Sequence, residues 1–99
     1  FKNPVVSDNK AQELRASFPS VPLYPAGEGK SKAAAAWLIE QCGWKGYRNG
    51  DAGVHEMQAL VLVNYGKATG EQLLTLSQQI RQSVIERFSI ELEPEVQVV

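Results

Sequence analysis

Ser89-Ile90-Glu91-Leu92-Glu93-Pro94-Glu95-Val96-Gln97-Val98-Val99 closes the chain, and its pattern organises the reading of everything before it. Ile90, Leu92, Val96 and Val98 fall on one parity; Glu91, Glu93, Glu95 and Gln97 fall on the other. A period of two is that of a strand with one buried and one open face. Three carboxylates on the open face repel one another unless a cation, a ligand or proton uptake relieves them. Pro94 has no N–H, so a ladder is interrupted or edge-like there, and Glu95 is held just past a stiff break. A charged strand face that merely meets water is the ordinary reading; a carboxylate fixed for chemistry is the sharper one.

Upstream lies the strongest helical signal. Leu73, Leu76, Ile80, Val84 and Phe88 form a stripe at helical spacing, which predicts a long helix over 70–88. Thr69 followed by Gln72 is a capping box. Gln78, Arg81, Gln82 and Arg87 are expected on the outer face. Before this helix, Ala59 to Val63 is a near-continuous apolar run, expected as a buried strand, and residues 54–58 as another. Gly43, Gly46, Gly50 and Gly53 read as turns around short strands.

The N-terminal half reads as two helices. Ser7 is a fitting N-cap for a helix carrying Ala11, Leu14 and Phe18, ended by Pro19. Residues 19–30 are expected as a loop stiffened by Pro19, Pro22 and Pro25. Ser31 is expected to cap a second helix from Lys32 to about Cys42, stopped by Gly43. The element order is then helix, helix, strands, long helix, strand. This is α+β, in two layers, because the helices are segregated from the strands and do not alternate with them.

Several residues carry two readings each. Asn3, before Pro4, either caps a turn or bonds a ligand, the turn being favoured. Tyr24, between prolines, either covers a site or packs on its own domain. Lys30 and Lys32, at an expected helix start, suit a phosphate as well as plain solvent. Trp44 and Tyr47 are expected in the core or at its rim.

Composition narrows the classes of function. The chain has 99 residues and a net charge of −1, which gives no sign of a nucleic-acid or anionic-membrane partner. One cysteine, Cys42, allows no internal disulfide and is expected as a buried helical thiol. His55 is the sole histidine and has no companion at ligand spacing, so no metal site is expected. Nothing marks a hydrolase triad. With no apolar run near the length of a membrane span, a soluble, cytoplasmic protein is expected. A start at Phe1 and an end inside a strand pattern suggest a single domain, 1–99, from a longer polypeptide.

Taken in order, Phe1-Lys2-Asn3-Pro4, Pro22 to Pro25, Lys32 to Cys42, Val54 to Asn64 and Leu92-Glu93-Pro94-Glu95-Val96 resemble the C-terminal, substrate-binding domain of the UDP-N-acetylenolpyruvoylglucosamine reductase (MurB) family. The resemblance covers essentially the whole chain. It implies an oxidoreductase of bacterial peptidoglycan synthesis, in which NADPH reduces FAD and the flavin then reduces UDP-N-acetylglucosamine enolpyruvate to UDP-N-acetylmuramate. It implies that FAD is bound by N-terminal domains of the same polypeptide, outside this chain. The family's proton-donating serine lies two residues ahead of the position matched by Phe1, so the chain alone is expected to be inactive. The resemblance further implies that Glu95 assists protonation of the enol-like intermediate. It implies that Asn3, Tyr24, Lys32 and Gln58 bind substrate, with Tyr24 on a mobile loop and with Tyr24 and Lys32 at the diphosphate. A carboxylate fixed among others has its own reason for a shifted pKa, in accord with the task implied for Glu95. A nucleotide-sugar binding module without flavin, or an interaction domain presenting an acidic strand, would also carry such residues.

Overall fold

The computed structural model describes residues 1–59 and 61–93. Strand β1, Val5–Ser7, passes directly into helix α1, Asp8–Ser17. The Ser7 hydroxyl accepts the Lys10 N–H, as the N-cap signal predicts. Strands β2, Leu23–Pro25, and β3, Lys30–Ala33, form a hairpin, and helix α2, Ala35–Gln41, follows. Strands β4, Arg48–Asn49, β5, Ala52–Val54, and β6, Leu62–Asn64, precede helix α3, Gly70–Phe88.

The architecture is the expected α+β arrangement, with two small antiparallel sheets ordered β1-β3-β2 and β4-β5-β6. The first sheet is the feature that sequence patterning did not show. The expected loop over 19–30 contains β2 and the start of β3. The second helix begins three residues later than expected, because Ser31, Lys32 and Ala33 are taken up by β3. Ser31 is thus no helix cap; its hydroxyl donates to Asp8 Oδ1 at 3.1 Å. β3 is the central strand and carries no proline, whereas Pro25 sits on the edge strand β2, where a missing N–H is tolerated.

In the second sheet, residues 54–58 are not one strand. β5 stops at Val54, and His55 Nδ1 accepts the backbone N–H groups of Met57 and Gln58, closing a turn. The strand expected over 59–63 is realised only as β6, Leu62–Asn64. Gly53 lies inside the central strand β5 and not in a turn. A Cβ there would stand 2.8 Å from the Tyr47 carbonyl oxygen and 2.9 Å from Tyr65 Cε2.

Helix α3 matches its expected span and has the full capping box between Thr69 and Gln72. Its stripe of Leu76, Ile80, Val84 and Phe88 is buried and shares one core with Leu14, Val21, Ala33, Leu38, Ile39, Ala52 and Val54. Both sheets therefore rest on the same apolar cluster. Ser89 ends α3 in the left-handed region, at φ 55°, and turns the chain back. Ile90 and Leu92 are buried and Glu91 and Glu93 exposed, so the alternation read from sequence holds as far as the described tail extends. Those residues nevertheless form no strand of either sheet. Pro94 to Val99, including Glu95 and the rest of the expected strand, lie outside the described residues. Cys42 is half-buried at the end of α2, not enclosed within it.

Candidate functional site

The first sheet has two unlike faces, because strand side chains alternate. Its inner face carries Ala33, which is fully buried, with Val6 and Leu23 packed against the core. Its outer face carries Val5, Lys32 and Tyr24, which the antiparallel register aligns in a row across the three strands. Directly paired residues place their Cβ atoms about 5 Å apart. Tyr24, 51% exposed, and Lys32 are thus neighbours in space although the sequence reading placed them on a loop and a helix. The cation comes from a strand, not from a helix N-terminus.

Beside this row opens a cleft of about 710 Å³, lined among others by Lys2, Asn3, Val5, Lys32, Glu91 and Glu93. Lysines lie on the side of the N-terminal segment and β3; carboxylates lie on the side of the tail. The two sides are stitched together by the Lys2 N–H, which donates to the Glu93 carbonyl oxygen at 2.9 Å. A smaller cleft of about 500 Å³ lies at Tyr24, Lys30 and Arg15.

Asn3 has a structural task that sequence reading did not show. Its Oδ1 accepts the Ala35 N–H at 3.0 Å. The α2 N-cap position is Ala34, which has no side chain to cap with, so Asn3 supplies the acceptor from 32 residues away. With the oxygen occupied, the side chain offers a ligand its NH₂ group, a donor, suited to phosphate, carboxylate or carbonyl oxygen.

Gln58 stands apart from this constellation. It is exposed in the β5–β6 connection, where its carbonyl oxygen accepts the Val61 N–H, and it does not line the large cleft. Its N–H donates to His55, which gives that histidine a turn-closing role. Glu95 cannot be placed, since it is outside the described residues.

Arg81 was expected on the outer face of α3 and is instead half-buried against the tail. Its Nε donates to the Leu92 carbonyl oxygen at 2.9 Å, and a terminal nitrogen lies 3.4 Å from Glu91 Oε1. Arg81 falls four residues after Ser77 and three before Val84, both buried, so it shares their side of the helix; the polar Ser77 gave no sequence signal of this.

Chemically, the cleft offers ammonium groups, an amide donor and nearby carboxylates. That set can hold an anionic, oxygen-rich ligand. The cleft's described apolar walls are Phe1, Pro4 and Val5. Among the described residues no group of three or more His, Cys, Asp or Glu side chains could hold a metal ion. No helix among them is long and apolar enough to cross a membrane.

Comparison with known proteins adds the family. The family model described as UDP-N-acetylenolpyruvoylglucosamine reductase, C-terminal domain, matches residues 1–99. The chain is 60% identical over 95 residues to the UDP-N-acetylenolpyruvoylglucosamine reductase of Chromobacterium violaceum, covering 96% of this chain and 28% of that protein. It is 55% identical over 95 residues to the protein of the same name from Pseudomonas putida, again covering 96% and 28%. It is also 55% identical over 100 residues to that from Xanthomonas euvesicatoria, covering 100% and 29%. The chain thus spans less than a third of the length of these curated relatives. By sequence and by family model alike, the chain belongs to the UDP-N-acetylenolpyruvoylglucosamine reductase family, as its C-terminal domain.

Proposed function

We propose that this chain is the substrate-binding domain of an FAD-dependent, cytoplasmic reductase. The enzyme converts UDP-N-acetylglucosamine enolpyruvate to UDP-N-acetylmuramate with NADPH, in peptidoglycan precursor synthesis. The observation that carries the reading is the outer face of the first sheet. Tyr24 and Lys32 are registered neighbours there, and Asn3 lines the same cleft as Lys32. Asn3 and Lys32 line one cleft, and Tyr24, paired with Lys32 across the strands, borders the smaller one beside it.

The tasks divide as follows. The Lys32 ammonium neutralises diphosphate charge, and the Asn3 NH₂ group donates to an oxygen of the same ligand. Tyr24, projecting from the edge strand, covers the ligand and gives its hydroxyl to it. Gln58, in the β5–β6 connection and apart from the cleft, contacts the ligand from that side. Flavin, held by the remainder of the polypeptide and reduced by NADPH, would supply a hydride equivalent for the enolpyruvyl double bond; with a proton at the other carbon the C=C would become a C–C single bond and the ether link would be kept. Glu95 assists delivery of that proton from a hydroxyl donor upstream of Phe1.

The test uses the full-length polypeptide. Bound flavin is reduced with NADPH without oxygen, UDP-N-acetylglucosamine enolpyruvate is added, and reoxidation is followed by absorbance. Reoxidation by the sugar is the expected result. Glu95→Gln is expected to slow that step by about a hundredfold while sparing reduction by NADPH, since general acid–base assistance contributes on the order of 10²–10⁴. A flavin indifferent to the sugar overturns the reductase reading. Equal slowing of both half-reactions overturns the assignment of Glu95.

A further inference from the structure

We propose that His55 is the positioning residue for Gln58, its ring fixing the backbone from which that side-chain amide reaches the ligand; this rests on the reading above that Gln58 contacts the sugar substrate. His55 follows directly on β5. Its Nδ1 accepts two backbone N–H groups, from Met57 at 2.9 Å and from Gln58 at 3.2 Å. The connection is closed at its base as well. The His55 N–H donates to the Val61 carbonyl oxygen at 2.9 Å, and the Val61 N–H donates to the Gln58 carbonyl oxygen at 3.0 Å. Both backbone polar groups of Gln58 are therefore committed, one to the imidazole and one to Val61. Its side chain is not: Gln58 is exposed, and among the described residues no group bonds its amide. An uncommitted amide on a backbone tied at both ends is ordered before a ligand arrives, so less conformational freedom is lost on binding.

The ring suits this task by where its acceptor sits. Nδ1 is bonded to Cγ, the place that the Oδ1 of an Asn or Asp occupies in the turns those residues close with their own following backbone. A neutral imidazole that accepts at Nδ1 carries its proton at Nε2, on the side away from the turn. The ring also has a firm root, because Val54, the residue before it, is fully buried at the end of β5. The core thus holds the ring, and the ring holds the Gln58 N–H. His55 does not line the large cleft and is assigned no contact with substrate, so its influence on binding runs through the turn.

The test compares His55→Ala, His55→Gln and His55→Asn in the full-length protein. UDP-N-acetylglucosamine enolpyruvate is titrated calorimetrically into the oxidised protein without NADPH, and hydrogen exchange is followed at the Met57 and Gln58 amides individually. Asn keeps an acceptor on Cγ; Gln carries its acceptor one bond further out; Ala has none. His55→Ala and His55→Gln are expected to raise Kd about fivefold, the scale of one hydrogen bond lost. Both are expected to speed exchange at the two amides by about tenfold, through local opening of the turn. His55→Asn is expected to stay within about twofold of wild type in both measurements. The rate of flavin reduction by NADPH is expected to be unchanged in all three. In a Gln58→Ala background, His55→Ala adds less than about 1.5-fold to Kd, because the ring acts only through Gln58. Asn and Gln variants that behave alike, or losses that multiply fully in the double variant, overturn the proposal. If His55→Ala does not fold, His55→Asn against His55→Gln decides. A Gln58→Ala protein whose Kd stays within about twofold of wild type overturns the reading of Gln58 and the positioning role with it. Fast exchange that His55→Asn does not correct overturns the role of the ring while leaving Gln58 in the site.

Discussion

Asn3 shows how one side chain joins fold and site. Its oxygen caps α2, and its NH₂ group is the donor proposed above for the ligand. Asn3→Ala removes both, and the lost cap is expected to cost about 1 kcal/mol of stability. Asn3→Asp separates the roles: a carboxylate still accepts the Ala35 N–H, but it presents no donor and adds negative charge beside a proposed diphosphate. Thermal melts of the chain are expected to show Asp near wild type and Ala lowered, while UDP-sugar titration of the full-length protein shows both weakened. An Asp variant that binds as well as wild type would remove Asn3 from the ligand site. Lys32 is a simpler case. It lies exposed on β3 with no described ion-pair partner, so Lys32→Ala is expected to leave stability within about 0.5 kcal/mol. Its binding loss is expected to be roughly tenfold in Kd, or about 1.4 kcal/mol, measured by calorimetric titration. The resemblance implied that Tyr24 and Lys32 share a diphosphate; the strand pairing that makes them neighbours was not legible, because it depends on register.

At the scale of elements, the difference between α3 and the first sheet explains what sequence could show. Helix α3 repeats its apolar spacing over 19 residues and carries a capping box, so local signals and tertiary burial agree. Strands β1, β2 and β3 have three, three and four residues, too short for a period of two to be distinguished. Lys30-Ser31-Lys32-Ala33 also resembles a capped helix start, and only pairing on both sides makes it a strand. Gly53 was misread for the same reason: glycine signals a turn locally, whereas here it lets Tyr47 and Tyr65 approach the centre of β5. Gly53→Ala would push a methyl to 2.8 Å from a backbone oxygen, which no rotamer change relieves. A loss of about 2 kcal/mol, typical of overpacking, is expected in urea unfolding; a change under about 0.5 kcal/mol, the range of neutral surface substitutions, would show that the sheet yields there.

Across the whole molecule, three helices and two sheets depend on one junction. Phe18 at the end of α1, Trp37 in α2 and Phe88 in α3 meet with ring centroids 4.9 to 6.0 Å apart. Phe88 is 3% exposed and belongs to the cluster that also contains Ala33 of the first sheet and Val54 of the second. Neither sheet has another core of its own among the described residues, so neither should outlast the junction. Phe88→Ala leaves a ring-sized void between the helices and is expected to cost about 4 kcal/mol. Against a total of roughly 5–15 kcal/mol for a domain, that is a large share. The loss should also be global. Tryptophan fluorescence, which reports Trp37 at the junction and Trp44 near β4, and far-ultraviolet circular dichroism are expected to trace one coincident urea transition in both proteins. The variant's midpoint falls while the slope stays fixed. Transitions that separate, with fluorescence lost first and ellipticity retained, would mean that the second sheet and α3 hold together without the aromatic junction.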